Sequence, residues 1–196
     1  RNTLDDLVAD GLLDKRDANF LSGTPRSREN ALLHPITYIA KMNLQDHQRS
    51  GKLLDEERLT QWLAEKSDQP YFHIDPLKID ASKVTELMSF AFAKRHQILC
   101  VQISKDEMVV ASSQPWIYAW EDDIKHTARR EIRRVVVKPS ELARYTVEFY
   151  SLAKSVSDAA DTDYGGKMGI GNFEQLLKLS ELKDPEANDQ HIINIV

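Results

Sequence analysis

The sequence predicts an α+β fold: a small N-terminal helical region, then a β-α-β-β-α-β-α module, then a linker. Three observations predict it. Ile98 to Ala111 reads as two apolar runs around a polar tip, Ser104-Lys105-Asp106-Glu107. In the first run Leu99, Val101 and Ile103 alternate with Ile98, Cys100 and Gln102; period two with β-branched residues marks a strand, and the polar break marks a hairpin. The third observation is that helical stripes and short β-type runs alternate on both sides of this hairpin. An isolated hairpin is marginal in water, so these flanking elements must cover it.

In chain order, residues 2–22 read as two short helices. Leu4, Leu7 and Val8 form the first stripe; Asp14 caps the second helix, with Phe20 and Leu21 inward and Gly23 as its stop. Thr24 to Asn30 is polar and without period. Pro35 suits the first position of a helix over Ile36 to Lys41. After another polar connection, Asn43 to Gly51, Asp55 caps a helix to about Lys66, with Leu59, Trp62 and Leu63 on one face. Residues 1–67 are thus expected to form the helical region and 69–156 the α+β module.

In that module Tyr71 to Ile74 reads as a strand closed by Asp75-Pro76. A helix begins at Asp80 or Ser82, with Val84, Leu87, Met88, Ala91 and Phe92 at i, i+3, i+4, i+7 and i+8. After the hairpin, Ser113 caps and Pro115 starts a helix with Trp116, Trp120 and Ile124 inward. Ile132 to Val137 is the next strand. Pro139 starts a long helix with the stripe Leu142, Tyr145, Phe149, Leu152 and Val156. This order builds a split βαβ sandwich, one sheet with helices on one face. Residues 157–172 are Gly-, Asp- and Ala-rich and read as a flexible linker. Residues 173–196 read as the start of a further domain, cut short.

Composition narrows the chemistry. The 196 residues are 41% hydrophobic and 29% charged, enough for a real core, and the net charge of −5 argues against a general nucleic-acid binder. The single cysteine, Cys100, excludes an internal disulfide and a cysteine-built zinc site. The sequence has no run of 18 apolar residues, so direct membrane insertion is not expected. Gly165-Gly166-Lys167 is followed by Met168 and preceded by no strand, so it fails the phosphate-loop pattern. None of the six histidines stands at metal-ligand spacing. No catalytic or metal-binding residue is assigned. A cytoplasmic protein is the natural expectation.

One cluster has partner-binding character: Arg129, Arg130, Arg133, Arg134 and Lys138, with Lys125 beside them. Cations at a helix C-terminus are favourable in themselves, and strand alternation exposes Arg133. As a surface the cluster would suit an acidic partner. RNA would want exposed aromatics among the charges, and the nearby aromatics fall on core stripes.

Arg49-Ser-Gly-Lys-Leu-Leu54, Gln69-Pro-Tyr-Phe-His-Ile-Asp-Pro-Leu-Lys-Ile-Asp80, Lys94-Arg-His-Gln-Ile-Leu99, Val109-Val-Ala-Ser-Ser-Gln-Pro115 and Asn188-Asp-Gln-His-Ile-Ile-Asn-Ile-Val196 occur in an order that resembles the N-terminal region of the traffic ATPases of type II secretion and type IV pilus assembly. The resemblance implies a non-catalytic module that docks a hexameric motor on the cytoplasmic domain of an inner-membrane platform protein. It places ATP, Mg and the hexamer contacts in an ATPase core beyond this chain, and the protein at the inner membrane through its partner. Some relatives bind cyclic di-GMP through two copies of a motif that starts R-L-G-x-x-L. Arg49, Gly51 and Leu54 match the start of one copy, with Ser50 in place of the leucine and a shortened spacing after it. The stretch from Asn2 to Leu7, the other candidate copy, lacks the Arg and the Gly. A cyclic-dinucleotide sensor is the alternative role the resemblance implies.

Overall fold

Each helix of the front region is started by a side chain that takes up an orphan backbone N–H. In the computed structural model, which describes residues 1–162, Asn2 caps α1 (Thr3–Ala9), Asp14 caps α2 (Lys15–Gly23) and Ser27 caps the single turn α3 (Arg28–Ala31). His34 caps α4 (Pro35–Ala40), and Asp55 caps α5 (Glu56–Ser67), which ends on left-handed Asp68. Between α4 and α5 the chain doubles back, with Gln45 bridging Leu53. These elements close one core around Leu7, Leu12, Ile36, Ile39, Leu54 and Leu59. Burying each such side chain contributes about 1.5–3 kcal/mol. Phe20, expected inward, is 67% exposed, because Ala18 and Leu21 define the buried face of α2 and Phe20 lies off it.

The second core is built on a three-stranded sheet of order β1-β2-β3: β1 (Ile98–Ile103), β2 (Glu107–Ser112) and β3 (Glu131–Val136). The expected hairpin is present. β1 and β2 are antiparallel from Ile98↔Ser112 to Ile103↔Met108, and Ser104 closes the turn onto Glu107. Ile98 through Val101 are all buried, on both faces of the strand, and a bulge between Cys100 and Gln102 then shifts the register. β3 runs parallel to β2 through the crossover helix α8 (Glu121–Ala128).

Four expected elements differ. Tyr71 to Ile74 is not a ladder strand: Tyr71 makes one parallel bridge to Val136, and Pro76–Lys78 is a 3-10 turn. The helix expected from residue 80 is two helices, α6 (Ala81–Val84) and α7 (Phe90–His96). Ser89 caps α7 afresh, which shifts the phase, so Ala93 is buried and Ala91 is exposed. Pro115 opens a turn rather than a helix; α8 starts at Glu121, and Trp116 remains 37% exposed. The last helix, α9 (Pro139–Thr162), runs into the stretch read as linker, and residues 163–196 lie outside the described ones. Leu142, Tyr145 and Phe149 on α9 are buried, whereas Leu152 and Val156 are exposed and lie past the unit 1–150 that forms the core.

The sheet is covered on both faces, not one. Val135 and Val137 enter the core with Ile98, Met108, Trp120 and Phe149, while Val136 between them enters the front core with Leu59 and Trp62. Successive strand residues point to opposite faces, so one valine run supplies both cores.

Candidate docking and nucleotide sites

The five basic residues separate by what already holds them. Arg134 is buried: Nη2 donates to the Ile117 carbonyl at 2.9 Å, Nη1 lies 3.4 Å from Glu121 Oε2, and the guanidinium sits 4.3 Å from the Tyr118 ring and 4.9 Å from that of Trp120. It fastens the 113–120 segment to β3 and presents no charge outward. Arg130 is half-buried and donates to the Ser104 carbonyl at 2.7 Å and the Ala128 carbonyl at 3.0 Å. Lys138 pairs with Glu141 at 3.0 Å; partial desolvation is the largest single influence and lowers its pKa, but the Glu141 hydrogen bond together with the charge of Glu141 and its neighbours raises it overall. Arg133 is exposed and pairs with Glu107 across the strands at 3.1 Å. Arg129 caps α8 in the left-handed region, is exposed, and among the described residues has no ion pair. Arg129 and Arg133 are therefore the members that present charge to solvent.

The Arg49 turn belongs to the front region. Gly51 adopts φ +73°, a conformation that L side chains rarely take, and Arg49 and Gly51 are exposed at the turn. Leu54 is fully buried in the front core and faces away from solvent. An open cavity of about 810 Å³ lies beside the turn, lined by Asp14, Arg16, Asp17, Asp46, His47 and Gly51 among others. Two carboxylates, Asp14 and Asp17, stand against one arginine, Arg16, which makes this lining a poor match for paired phosphates. Directly behind it Asp46, with no exposed side-chain surface, holds Arg58 at 2.8 Å; Arg58 also donates to Gln48 Oε1 at 2.8 Å.

Two polar centres were not singled out from the sequence. Asp10 on the front region accepts from Trp62 Nε1 at 2.8 Å and from Lys66 Nζ at 2.9 Å, and these bonds hold its carboxyl below the usual carboxylate range. His34 is half-buried; its Nε2 lies 2.8 Å from the Ser113 carbonyl, and its Nδ1 accepts from the Ile36 N–H at 3.3 Å. A carbonyl only accepts, so Nε2 carries the proton and the ring is neutral. Desolvation lowers the His34 pKa. The signal for it was present in the order His34-Pro35: an acceptor side chain directly before a first-turn proline is a capping position. Cys100 is buried in β1, and burial pushes its thiol up to about 12, which makes it an inert core residue.

Among the described residues no group of His, Cys, Asp and Glu is placed to hold a metal, and no helix is long and apolar enough to cross a membrane. Residues 67–156 match the MshEN domain. The chain is 34% identical over 194 residues to the type IV pilus assembly ATPase TfpB of Acinetobacter baylyi, a match covering 98% of this chain and 33% of that protein. It thus spans about a third of the length of that curated relative. The solved structure of MshE with cyclic di-GMP matches with a TM-score of 0.54 at 18% identity, covering 76% of this chain and 100% of that one. The N-terminal domain of XpsE matches with a TM-score of 0.44 at 14% identity, covering 73% and 90%. At 18% identity the MshE likeness is one of fold. The chain carries an MshEN domain. Over nearly its whole length it is similar to part of a type IV pilus assembly ATPase.

Proposed function

We propose that this chain is the non-catalytic N-terminal docking and regulatory module of a bacterial type II secretion (general secretion pathway) ATPase, and that it recruits the motor to the cytoplasmic domain of an inner-membrane platform protein. The observation that carries this reading is the 34% identity to a pilus assembly ATPase along essentially the whole chain, against only a third of the relative. ATP, Mg and the hexamer contacts belong, in this reading, to the part of the motor outside the chain. The protein works in the cytoplasm, at the inner membrane through its partner. Arg129 and Arg133 are its charged contact points, because they are exposed while Arg134 is committed to the fold. Pull-down with the platform's cytoplasmic domain tests it. The wild type is expected to bind, and Arg129→Glu with Arg133→Glu to weaken binding about tenfold. A folded wild-type chain that fails to bind overturns the reading.

The cyclic di-GMP sensor is the second reading. Its support is the fold shared with MshE, together with exposed Arg49 at a glycine turn beside an open cavity. The acidic cavity lining and inward Leu54 favour docking over it. Calorimetric titration with cyclic di-GMP separates the two. Micromolar binding abolished by Arg49→Ala establishes the sensor, and no heat at millimolar nucleotide removes it.

A further inference from the structure

A second surface lies away from both sites. Leu32 just after α3, Phe90 on α7 and Val147 on α9 are 90%, 37% and 55% exposed, and all three line one groove of about 490 Å³. Leu33, Ala93 and Leu142 extend its apolar wall. Three large exposed apolar side chains from three separate elements converging on one concavity differ from scattered surface leucines, and the volume falls in the range of ligand clefts.

The occupant follows from the walls and the charge. The groove is walled by helices and the loops beside them and offers no strand edge, so an extended peptide has no main-chain partners there. Its occupant must bring its own backbone hydrogen bonds, which is what a helix does. The lining contains Lys94 and no Asp or Glu. Lys94 is exposed near the Phe90 ring at 5.9 Å, and Arg95 follows it. Among the described residues Lys94, Arg95 and Arg28, on the α3 side, form no ion pairs. On α3 Glu29 is the one carboxylate; on α9 Glu148 is paired with Arg144, and Glu56 of α5 is held by the Ser140 N–H. Lys94 is thus the one formally charged side chain in the lining, against a chain of net charge −5.

We infer that this groove docks an acidic amphipathic helix of a partner protein, with aliphatic side chains seated between Leu32, Phe90 and Val147 and a carboxylate meeting Lys94. This goes beyond the platform-docking proposal and does not depend on it.

The probe is a fluorescent helical peptide of about four turns, with leucines on one face and glutamates flanking them, beside a twin carrying lysines for glutamates. Both are titrated by anisotropy against the 196-residue chain. The glutamate peptide is expected to saturate at micromolar concentration and the lysine twin to bind about tenfold or more weakly. Leu32→Asp and Val147→Asp are each expected to weaken binding about tenfold or more, and Lys94→Glu to invert the preference. Leu32 and Lys94 are exposed, so both changes leave the fold intact, which circular dichroism checks. Absence of saturation, equal binding of the two peptides, or an unaffected Leu32→Asp variant overturns the proposal. So does a dimer in sedimentation that Leu32→Asp dissolves, since a second copy of this chain is then the occupant.

Discussion

Arg58 in the front core and Arg134 in the sheet core are both buried guanidiniums at the ends of long-range ties, but they are held differently. Arg58 meets a carboxylate with no exposed side-chain surface, and Gln48 completes the pair. Arg134 meets backbone carbonyls, two aromatic faces and a partly exposed Glu121, and its own Nε is left without a partner. The front region has short helices and little sheet to order it, so a formal charge pair fixes its loop against α5. The sheet region is ordered by continuous apolar runs, and its arginine only pins a surface segment. The contrast predicts that the front region is the more sensitive to loss of a single charge.

The largest effect is therefore expected at Arg58. Arg58→Ala leaves Asp46 ionised and buried, and removing one partner of such a pair costs about 3–5 kcal/mol. Denaturant titration measures it. The paired change Arg58→Met with Asp46→Leu is expected to recover most of the loss, because two apolar side chains leave no charge stranded. A single variant within about 1 kcal/mol of wild type would show that the pair carries no weight.

Arg134→Ala comes next, at about 2–3 kcal/mol, from several hydrogen bonds to a charged donor and two ring contacts. Arg134→Lys is expected to rescue little, since an ammonium does not reproduce the planar fan that reaches Ile117, Gln114 and Glu121. Tryptophan emission should shift to the red as the cover of Trp120 loosens; Trp120 is 1% exposed in the native fold. An equal or larger loss here than at Arg58 would reverse the comparison.

What the sequence made legible was repetition; what it hid was phase. The hairpin, β3 and the buried first half of α9 follow from period two and period 3.6, and a stripe such as Leu142, Tyr145 and Phe149 needs no tertiary knowledge to read. The bulge at Cys100–Gln102 and the new cap at Ser89 each reset a period within an unbroken apolar pattern, so Ala93 replaced Ala91 in the core. The basic cluster hid a similar distinction. Arg133 and Arg134 are neighbours in charge but opposites on a strand, and the partners of Arg134 are Glu121 at the start of α8 and the carbonyls of Gln114 and Ile117, in a segment that reads as a helix in sequence and folds as a turn. Of the Arg49 motif, the glycine's backbone need was readable, while the inward aim of Leu54 depends on α5 packing behind it.

The smallest expected effect joins the two regions. His34 caps α4 through Nδ1 and reaches Ser113, at the end of β2, through Nε2–H, so it spans the front helices and the sheet. Protonation puts a second N–H against the Ile36 N–H and a cation at a helix N-terminus, both unfavourable. The Ser113 carbonyl and, less strongly, the Glu56 carboxylate pull the other way, and Lys94 lines the same cavity, but burial dominates and the folded pKa lies below the ordinary 6.5. The unfolded chain therefore binds the proton first as pH falls. The stability His34 contributes is full above pH 6.5 and declines as pH drops through that value toward the folded pKa. Asn caps a helix without titrating, so His34→Asn is expected to flatten this part of the pH profile while leaving the fold in place. Thermal melts from about pH 7 to pH 5 should show the wild type losing a few degrees more than the variant. Parallel slopes, or a His34 ring that titrates above 6.5 by NMR, would mean that the two regions are held together by packing alone.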